Sequence, residues 1–340
     1  MASPTVDDPE AAARQAGLHH ASDADPGHRR VRRGRGFSYV DTEGRVVDAD
    51  ERSRIEDLVI PPAWEEVWIN PDPRGHLLAT GRDTRGRKVY LYHPRWREVR
   101  DAAKFADLAE FADGLGDLRG AVDGDLRRRG LPREKVVALV VRLLDETLVR
   151  VGNERYADEN DSFGLTTLRD EHAEVHGSTL ELDFVGKSGV EHRLAVHDPR
   201  LARIARRCHE LPGKHLFSYR DEDGGVGAVS SADVNEYLRA RMGDGVSAKD
   251  FRTWGATTIA TGVLAHPCPD DQPCDRLVVT SVKEAAEVLG NTPTVCRTSY
   301  IHPIVPSSYE EGSLGEAWAG SRATATMGRP ERAARRLLLG

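Results

Sequence analysis

The chain has 340 residues, 39% of them hydrophobic and 30% charged, with a formal net charge of −7. That length exceeds one minimal core and suits two domains, and the composition is that of a soluble globular protein. No apolar run approaches the roughly 18 residues of a membrane span, the first residues lack a secretory signal, and four cysteines are too few for a disulfide framework.

In chain order, residues 1–26 carry five acids against one arginine and are expected to be a disordered acidic tail. HRRVRRGRG (28–36) reads as a short basic arm, mobile and facing nucleic acid. FSYVDTEGRVV alternates as a strand pair around a turn. From Leu58 to Tyr92, aromatic and β-branched runs are separated by Pro-Asp-Pro-Arg-Gly and Arg-Gly turns. Residues 27–100 are therefore expected to form a small β-rich domain. Within residues 85–104, seven Lys/Arg stand against two acids, interleaved with Tyr90, Tyr92 and Trp96. Arg85, Arg87, Lys88, Tyr90 and Tyr92 suit a phosphate backbone and base edges. A solvated strand face fits the same pattern.

Helical periodicity follows. PREKVVALVVRLLDETLVRVG runs from Pro132 to Gly152 around a thick apolar face, with Arg150 at its end. Three alternating runs, FGLTTL, TLELDFV and VEHRLAV, are expected to form a small three-stranded antiparallel sheet, and the GKSG turn sets Lys187 at a hairpin tip. Four more segments are helical, with Ser231 and Ser247 at N-cap positions. The fold class is α+β: a small β-rich N-terminal domain and a mostly helical domain over 106–322, then a basic C-terminal tail over 323–340. Cys268 and Cys274 flank a loop whose spacing is foreign to zinc sites, and no metal is expected.

The segments RVGNERYADENDSFGLTTL, DFVGKSG, SAKDFRTWGATT and LGNTPTVCRTSYIHP occur in the order and spacing of type IB DNA topoisomerases. The chain resembles the small bacterial and poxvirus-type members, from about Leu58 to about His302. The resemblance implies that Arg150 and Arg252 are the two catalytic arginines, Lys187 the general acid and Tyr300 the nucleophile. Tyr156 and Asn160 lie in the first motif, where DNA contact and ordinary packing fit equally. The family usually has a histidine nine residues before the tyrosine, and this chain has Asn291. Either Asn291 fills that place as a hydrogen-bond donor or, following Gly290, it caps the preceding helix. His302, a loop histidine before Pro303, needs no function. The implied activity is relaxation of supercoiled duplex DNA by a monomer that closes around it as a clamp, without ATP, metal or other cofactor, in the cytoplasm at the nucleoid.

The chemistry explains why such groups are needed. A phenol is a poor nucleophile at neutral pH, and a phosphodiester repels an incoming oxygen. Two guanidiniums stabilise the charge of the pentacoordinate transition state, and an ammonium protonates the departing 5′-oxygen. A tyrosine recombinase uses the same pair of arginines but has a histidine three residues before the second, where this chain has Lys249, and its N-terminal domain is usually helical. A DNA binder on a decayed catalytic domain would not keep all four groups in their motifs.

Overall fold

The computed structural model describes residues 9–34, 36–266 and 274–340, and only the backbone of residues 100–104, 106 and 274. The chain divides into two compact units, one ending at Ala106 and the other starting at Asp107. The pair Cys268 and Cys274 lies outside what is described.

The first unit runs α1 (Pro9–Gln15), β1 (His28–Arg33), β2 (Gly36–Val40), α2 (Ala49–Asp57), β3 (Glu65–Ile69), β4 (Leu77–Arg82), β5 (Lys88–Tyr92) and α3 (Pro94–Ala106). Its strands form one antiparallel sheet in the order β2-β1-β3-β4-β5. Ile55 of α2, with Ile60, Val67, Ile69 and Ala79, fills the core on the side that Leu91 faces. Tyr92 points the other way, as the pleat requires, and packs with Trp96 against Ala12, Ala13, Ala16 and Leu18.

Two expectations fail here. Among residues 9–26, the acidic segment is not a disordered tail, because α1 buries its alanines against Trp96. HRRVRRGRG is not a mobile arm either: His28–Arg33 is a sheet strand. Arg30 donates to the carbonyls of Ile60, Pro61 and Trp64 and lies 4.2 Å from the centre of the Phe37 ring. The strand partner of β2 is β1, whereas the rest of FSYVDTEGRVV adds only a Val40–Val46 bridge.

The second unit contains α4 (Leu108–Leu126), α5 (Arg133–Thr147), α6 (Glu154–Asn160), β6 (Ala173–His176), β7 (Thr179–Val185), β8 (Glu191–His197) and α7 (Pro199–His209). A short hairpin of β9 (Ser218–Arg220) and β10 (Val226–Ala228) follows. Then come α8 (Ser231–Met242), α9 (Ala248–Leu264), α10 (Cys274–Leu289), α11 (Pro293–Ser299), α12 (Ile304–Glu310), α13 (Ser313–Ala319) and α14 (Arg329–Leu339). Helix α5 is buried almost all round, with Leu139, Leu143 and Leu144 fully covered. Truncating any of them to alanine costs about 2–5 kcal/mol. Helix α9 crosses the same core through Phe251, which meets Phe111 edge to face at 5.2 Å. The cap of α8 is Ser230 rather than Ser231, its hydroxyl accepting from Asp233 N–H at 3.2 Å, while Ser247 caps α9 as expected.

The three-stranded antiparallel sheet exists in the order β6-β7-β8, but FGLTTL is not one of its strands. Its hydroxyls bond main chain instead: Thr166 Oγ1 donates to Val151 O at 2.9 Å and Thr167 Oγ1 to Gly164 O at 3.1 Å, which winds Leu165–Thr167 into a 3₁₀ turn. The third strand is Ala173–His176. The C-terminal segment is also no tail. Glu331 of α14 accepts from Arg119 at 2.8 Å and from Trp254 Nε1 at 3.0 Å, and Arg119 also grips Asp145. Buried Ala333, Ala334 and Leu337 complete the docking.

Candidate active site

Arg252 sits on α9 and is only 3% exposed, so it is a core cation, not a surface one. Its Nη1 donates to Leu148 O, and its Nη2 to Leu289 O at 2.8 Å. Leu148 closes α5 in the left-handed region, at φ 56°, and Leu289 is the last residue of α10. Carbonyls at helix ends lack intrahelical partners, and the negative end of the helix dipole favours a cation. The arginine is thus held by two helix C-termini, with no carboxylate partner among the described residues. Gly255 in the same motif is dictated by this packing, because a Cβ there would lie 2.3 Å from Leu148 Cδ1.

Arg150 lies just past the end of α5. The N–H groups of Leu165 and Thr166 donate to the carbonyls of Arg150 and Val151 at 3.0 and 2.7 Å. Gly164 presses against the same stretch, where a Cβ would lie 2.6 Å from Arg150 O. This close fit explains the glycine in the first motif.

Arg150 Nη2 donates to Asn291 Oδ1 at 2.7 Å. A guanidinium only donates, so this bond fixes the amide orientation and leaves Nδ2 as the remaining donor. Helix α10 ends in a Schellman motif: Gly290 takes φ 60°, Gly290 N–H meets Glu287 O at 3.1 Å, and Asn291 N–H meets Ala286 O at 2.9 Å. The left-handed cap residue is Gly290. Asn291 contributes main chain alone to the cap, and its side chain is given to Arg150.

Tyr300 follows α11, its N–H bonded to Cys296 O at 2.9 Å. Its carbonyl accepts from Thr257 Oγ1 at 3.3 Å, and the same hydroxyl accepts from His302 N–H at 3.1 Å. Fully buried Thr257 therefore pins the tyrosine segment to the helix that carries Arg252. The Arg252 guanidinium carbon lies 5.2 Å from the centre of the Tyr300 ring. Burial alone would raise the phenol, but Arg252, by charge and hydrogen bond, with Arg150 and Lys249, outweighs it and holds Tyr300 below the usual tyrosine value. Burial and Arg150 push the Arg252 guanidinium down to about 10, still charged at neutral pH.

Among the described residues neither Arg150 nor Arg252 has a carboxylate partner, and three buried atoms of the cluster lack a hydrogen bond: Arg150 Nη1, Arg252 Nε and Asn291 Nδ2. All three are donors. Leaving a buried donor unpaired costs about 1–3 kcal/mol, and three such donors side by side suit an anion with several acceptor oxygens.

Lys187 is not in contact with the arginines. It stands exposed in the turn between β7 and β8, its Nζ 5.7 Å from the centre of the exposed Tyr156 ring. The base of its hairpin does reach the site: a Cβ on Gly290 would meet Val190 Cγ1 at 3.0 Å and His192 Cε1 at 3.2 Å. Asn160 is the last residue of α6 and exposed. His302 accepts from Ile304 N–H through Nδ1 at 3.0 Å at the start of α12, and burial pushes it down to about 4, a neutral structural role. Sequence reasoning missed Thr257 and His192, and read Lys249 only as a departure from the recombinases. Lys249 had a signal, since it shares a motif with Arg252.

In the first unit the basic strip is partly neutralised. Arg85, Arg87 and Lys88 are all exposed, but Arg87 pairs with Asp83 at 2.7 Å and Lys88 with Asp23 at 2.6 Å. Tyr90 is exposed and stacks on Tyr92, ring centres 5.9 Å apart, but Tyr92 is half-buried and Trp96 buried.

Residues 93–311 match the family model described as eukaryotic DNA topoisomerase I, catalytic core, and residues 36–83 match bacterial DNA topoisomerase IB, N-terminal domain. The chain is 30% identical over 274 residues to DNA topoisomerase 1B of Acanthamoeba polyphaga mimivirus, covering 78% of this chain and 81% of that one. It is 24% identical over 260 residues to DNA topoisomerase 1B of vaccinia virus (strain Copenhagen), covering 73% and 76% respectively. With DNA topoisomerase 1 of Schizosaccharomyces pombe it shares 28% identity over 202 residues, 57% of this chain and 22% of the yeast protein.

Proposed function

Because the chain belongs to the type IB DNA topoisomerase family, we propose that it relaxes supercoiled duplex DNA with Tyr300 as nucleophile and Arg150, Arg252, Asn291 and Lys187 as its helpers. The observation that carries this assignment is the trio of unpaired buried donors beside a phenol held below its usual value. The Tyr300 oxygen attacks the scissile phosphorus and loses its proton to solvent. Arg150, Arg252 and Asn291 donate to the non-bridging oxygens, whose added charge they stabilise most in the transition state. The P–O5′ bond breaks and O5′ takes a proton from Lys187 once the hairpin swings inward. The 3′-phosphotyrosyl ester is similar in energy to the bond it replaced, so the reverse attack by the 5′-hydroxyl reseals the strand without ATP. Between the two steps the free end rotates about the intact strand.

One chain supplies every group, which supports a monomer, and its two compact units suit a clamp around the duplex. Arg85, Arg87, Lys88, Tyr90 and Tyr156 are the exposed members of the set expected to touch DNA, with Arg87 and Lys88 engaged in ion pairs. No helix among the described residues is long and apolar enough to cross a membrane; the proposed place of action is the nucleoid, where supercoiled duplex is found.

The test is relaxation of plasmid of both supercoil signs in EDTA without ATP, alongside Tyr300→Phe. The variant should lose the denaturant-stable protein–DNA adduct and keep most of its DNA affinity, since binding is spread over many phosphate contacts. An adduct formed by Tyr300→Phe would move the nucleophile to another residue.

A further inference from the structure

His192 has no part in the mechanism above, yet it is 9% exposed and next to the arginine centre. It lies on β8 opposite Phe184 of β7, and the two rings stack with centres 5.0 Å apart. Its Cδ2–Nε2 edge faces Gly186, where a Cβ would lie 2.8 Å from both atoms, and its Cε1 faces Gly290, where a Cβ would lie 3.2 Å away. Gly186 immediately precedes Lys187, and Gly290 immediately precedes Asn291. Gly186 has φ −92°, ordinary extended backbone, so it is the ring and not the main chain that forbids a side chain there. Gly186 N–H also closes the turn on Val190 O at 2.7 Å. The imidazole makes no hydrogen bond among the described residues, and burial, Arg150 and Arg252 all hold it in the neutral form.

From this geometry we infer that His192 is a positioning residue: a ring wedged between Gly186 and Gly290 that seats the Lys187 hairpin on the Asn291 turn and so sets where the general acid arrives. At Gly290 the hairpin base meets the turn through Val190 and His192. Removing the ring frees the strand to slide toward Gly290, and adding a methyl at Gly186 levers it away. Both changes misdirect Lys187 while leaving the phenol and the two guanidiniums in place. The inference rests on the assignment of Lys187 as the acid.

The experiment compares full-length wild type, Lys187→Ala, His192→Ala, Gly186→Ala and the His192→Ala/Gly186→Ala double variant. Each is given saturating duplex DNA with either an ordinary or a 5′-bridging phosphorothiolate scissile bond, and melting temperatures are recorded alongside. Sulfur leaves without a proton, so it repairs only defects in acid delivery. General acids contribute about 10²–10⁴-fold, and a misplaced one loses part of that. His192→Ala and Gly186→Ala should each cleave the ordinary bond about 10–100-fold more slowly and the sulfur bond at nearly the wild-type rate. The double variant should be no slower than the worse single, because both act through one contact. Should His192→Ala fail to fold, Gly186→Ala carries the same test. Equal slowing on both substrates, or no slowing, overturns the role of His192. If Lys187→Ala is itself rescued by sulfur, the acid assignment survives that result. If it is not rescued, both readings fall.

Discussion

Asn291→Asp separates catalysis from stability, because the two should move in opposite directions. Asn291 Oδ1 already accepts from Arg150 Nη2 at 2.7 Å, and Arg150 Nη1 is buried without a partner. A carboxylate accepts from both nitrogens, a bidentate charge-assisted pair, and offsets the repulsion between Arg150 and Arg252. Against its own desolvation, the net gain is about 1 kcal/mol, a rise of about 2–4 °C in melting for a unit of this size. The helix cap is untouched, since Gly290 and main chain make it. Catalysis loses the Nδ2 donor, about 2–4 kcal/mol by analogy with a single oxyanion-hole donor. It also gains a negative charge near the phosphate, up to about 4 kcal/mol at 4 Å and an effective dielectric of 20. The barrier should rise by about 4–6 kcal/mol, or about 10³–10⁴-fold in rate. Single-turnover adduct formation on a saturating duplex, quenched into denaturant, measures the rate, and a thermal melt of the same preparation measures the fold. An aspartate variant that cleaves within tenfold of wild type refutes the donor role of Asn291, and one that melts lower refutes the account of charge at Arg150.

Gly255→Ala should destabilise the second unit by about 1–3 kcal/mol, because its Cβ meets Leu148 Cδ1 at 2.3 Å; unchanged melting and cleavage would show that Leu148 can move without disturbing Arg252. His302 stays neutral in the fold with a value of about 4 against about 6.5 when unfolded, so its contribution is complete above about pH 6.5 and is lost as pH falls toward 4. His302→Asn keeps an acceptor for Ile304 N–H and does not titrate, so its melting temperature should fall less than wild type's between pH 7 and 5; parallel curves would contradict this. Changing Arg85, Arg87 and Lys88 together to alanine should flatten the salt dependence of DNA binding by up to about one unit of slope per lost phosphate contact. The loss should come mostly from Arg85, because Asp83 and Asp23 already engage the other two; an unchanged slope returns the strip to a solvated surface.

Much of the helical unit was legible because its signals are local. Pro132 and the apolar stripe marked α5, and the GKSG turn marked the hairpin. The failures depended on partners distant in sequence. An alanine-rich turn of helix among acids reads as tail until Trp96 covers it, and a basic C-terminal run reads as tail until Arg119 and Trp254 meet Glu331. FGLTTL alternates like a strand, but Thr166 bonds Val151 and Thr167 turns back on Gly164 within the segment itself. At the site, the residue types of Arg150, Arg252 and Tyr300 were readable from their motifs. What held them was not, because Leu148 O, Leu289 O and Thr257 Oγ1 are backbone or bland side-chain atoms. His192 gave no signal, since a histidine in an alternating strand is ordinary.

If Arg252 serves as proposed, the grip of two helix ends on it ties the power to cut DNA to the intactness of those ends. Fraying the last turn of α5 or α10 would withdraw a carbonyl and leave the guanidinium to reorient, and helix ends are expected to open at lower cost than the core around Leu139 and Leu143. On warming, the capacity to begin a break should therefore vanish below the melting midpoint. A partly unravelled molecule, the one least able to reseal a strand, is then also the one least able to open it.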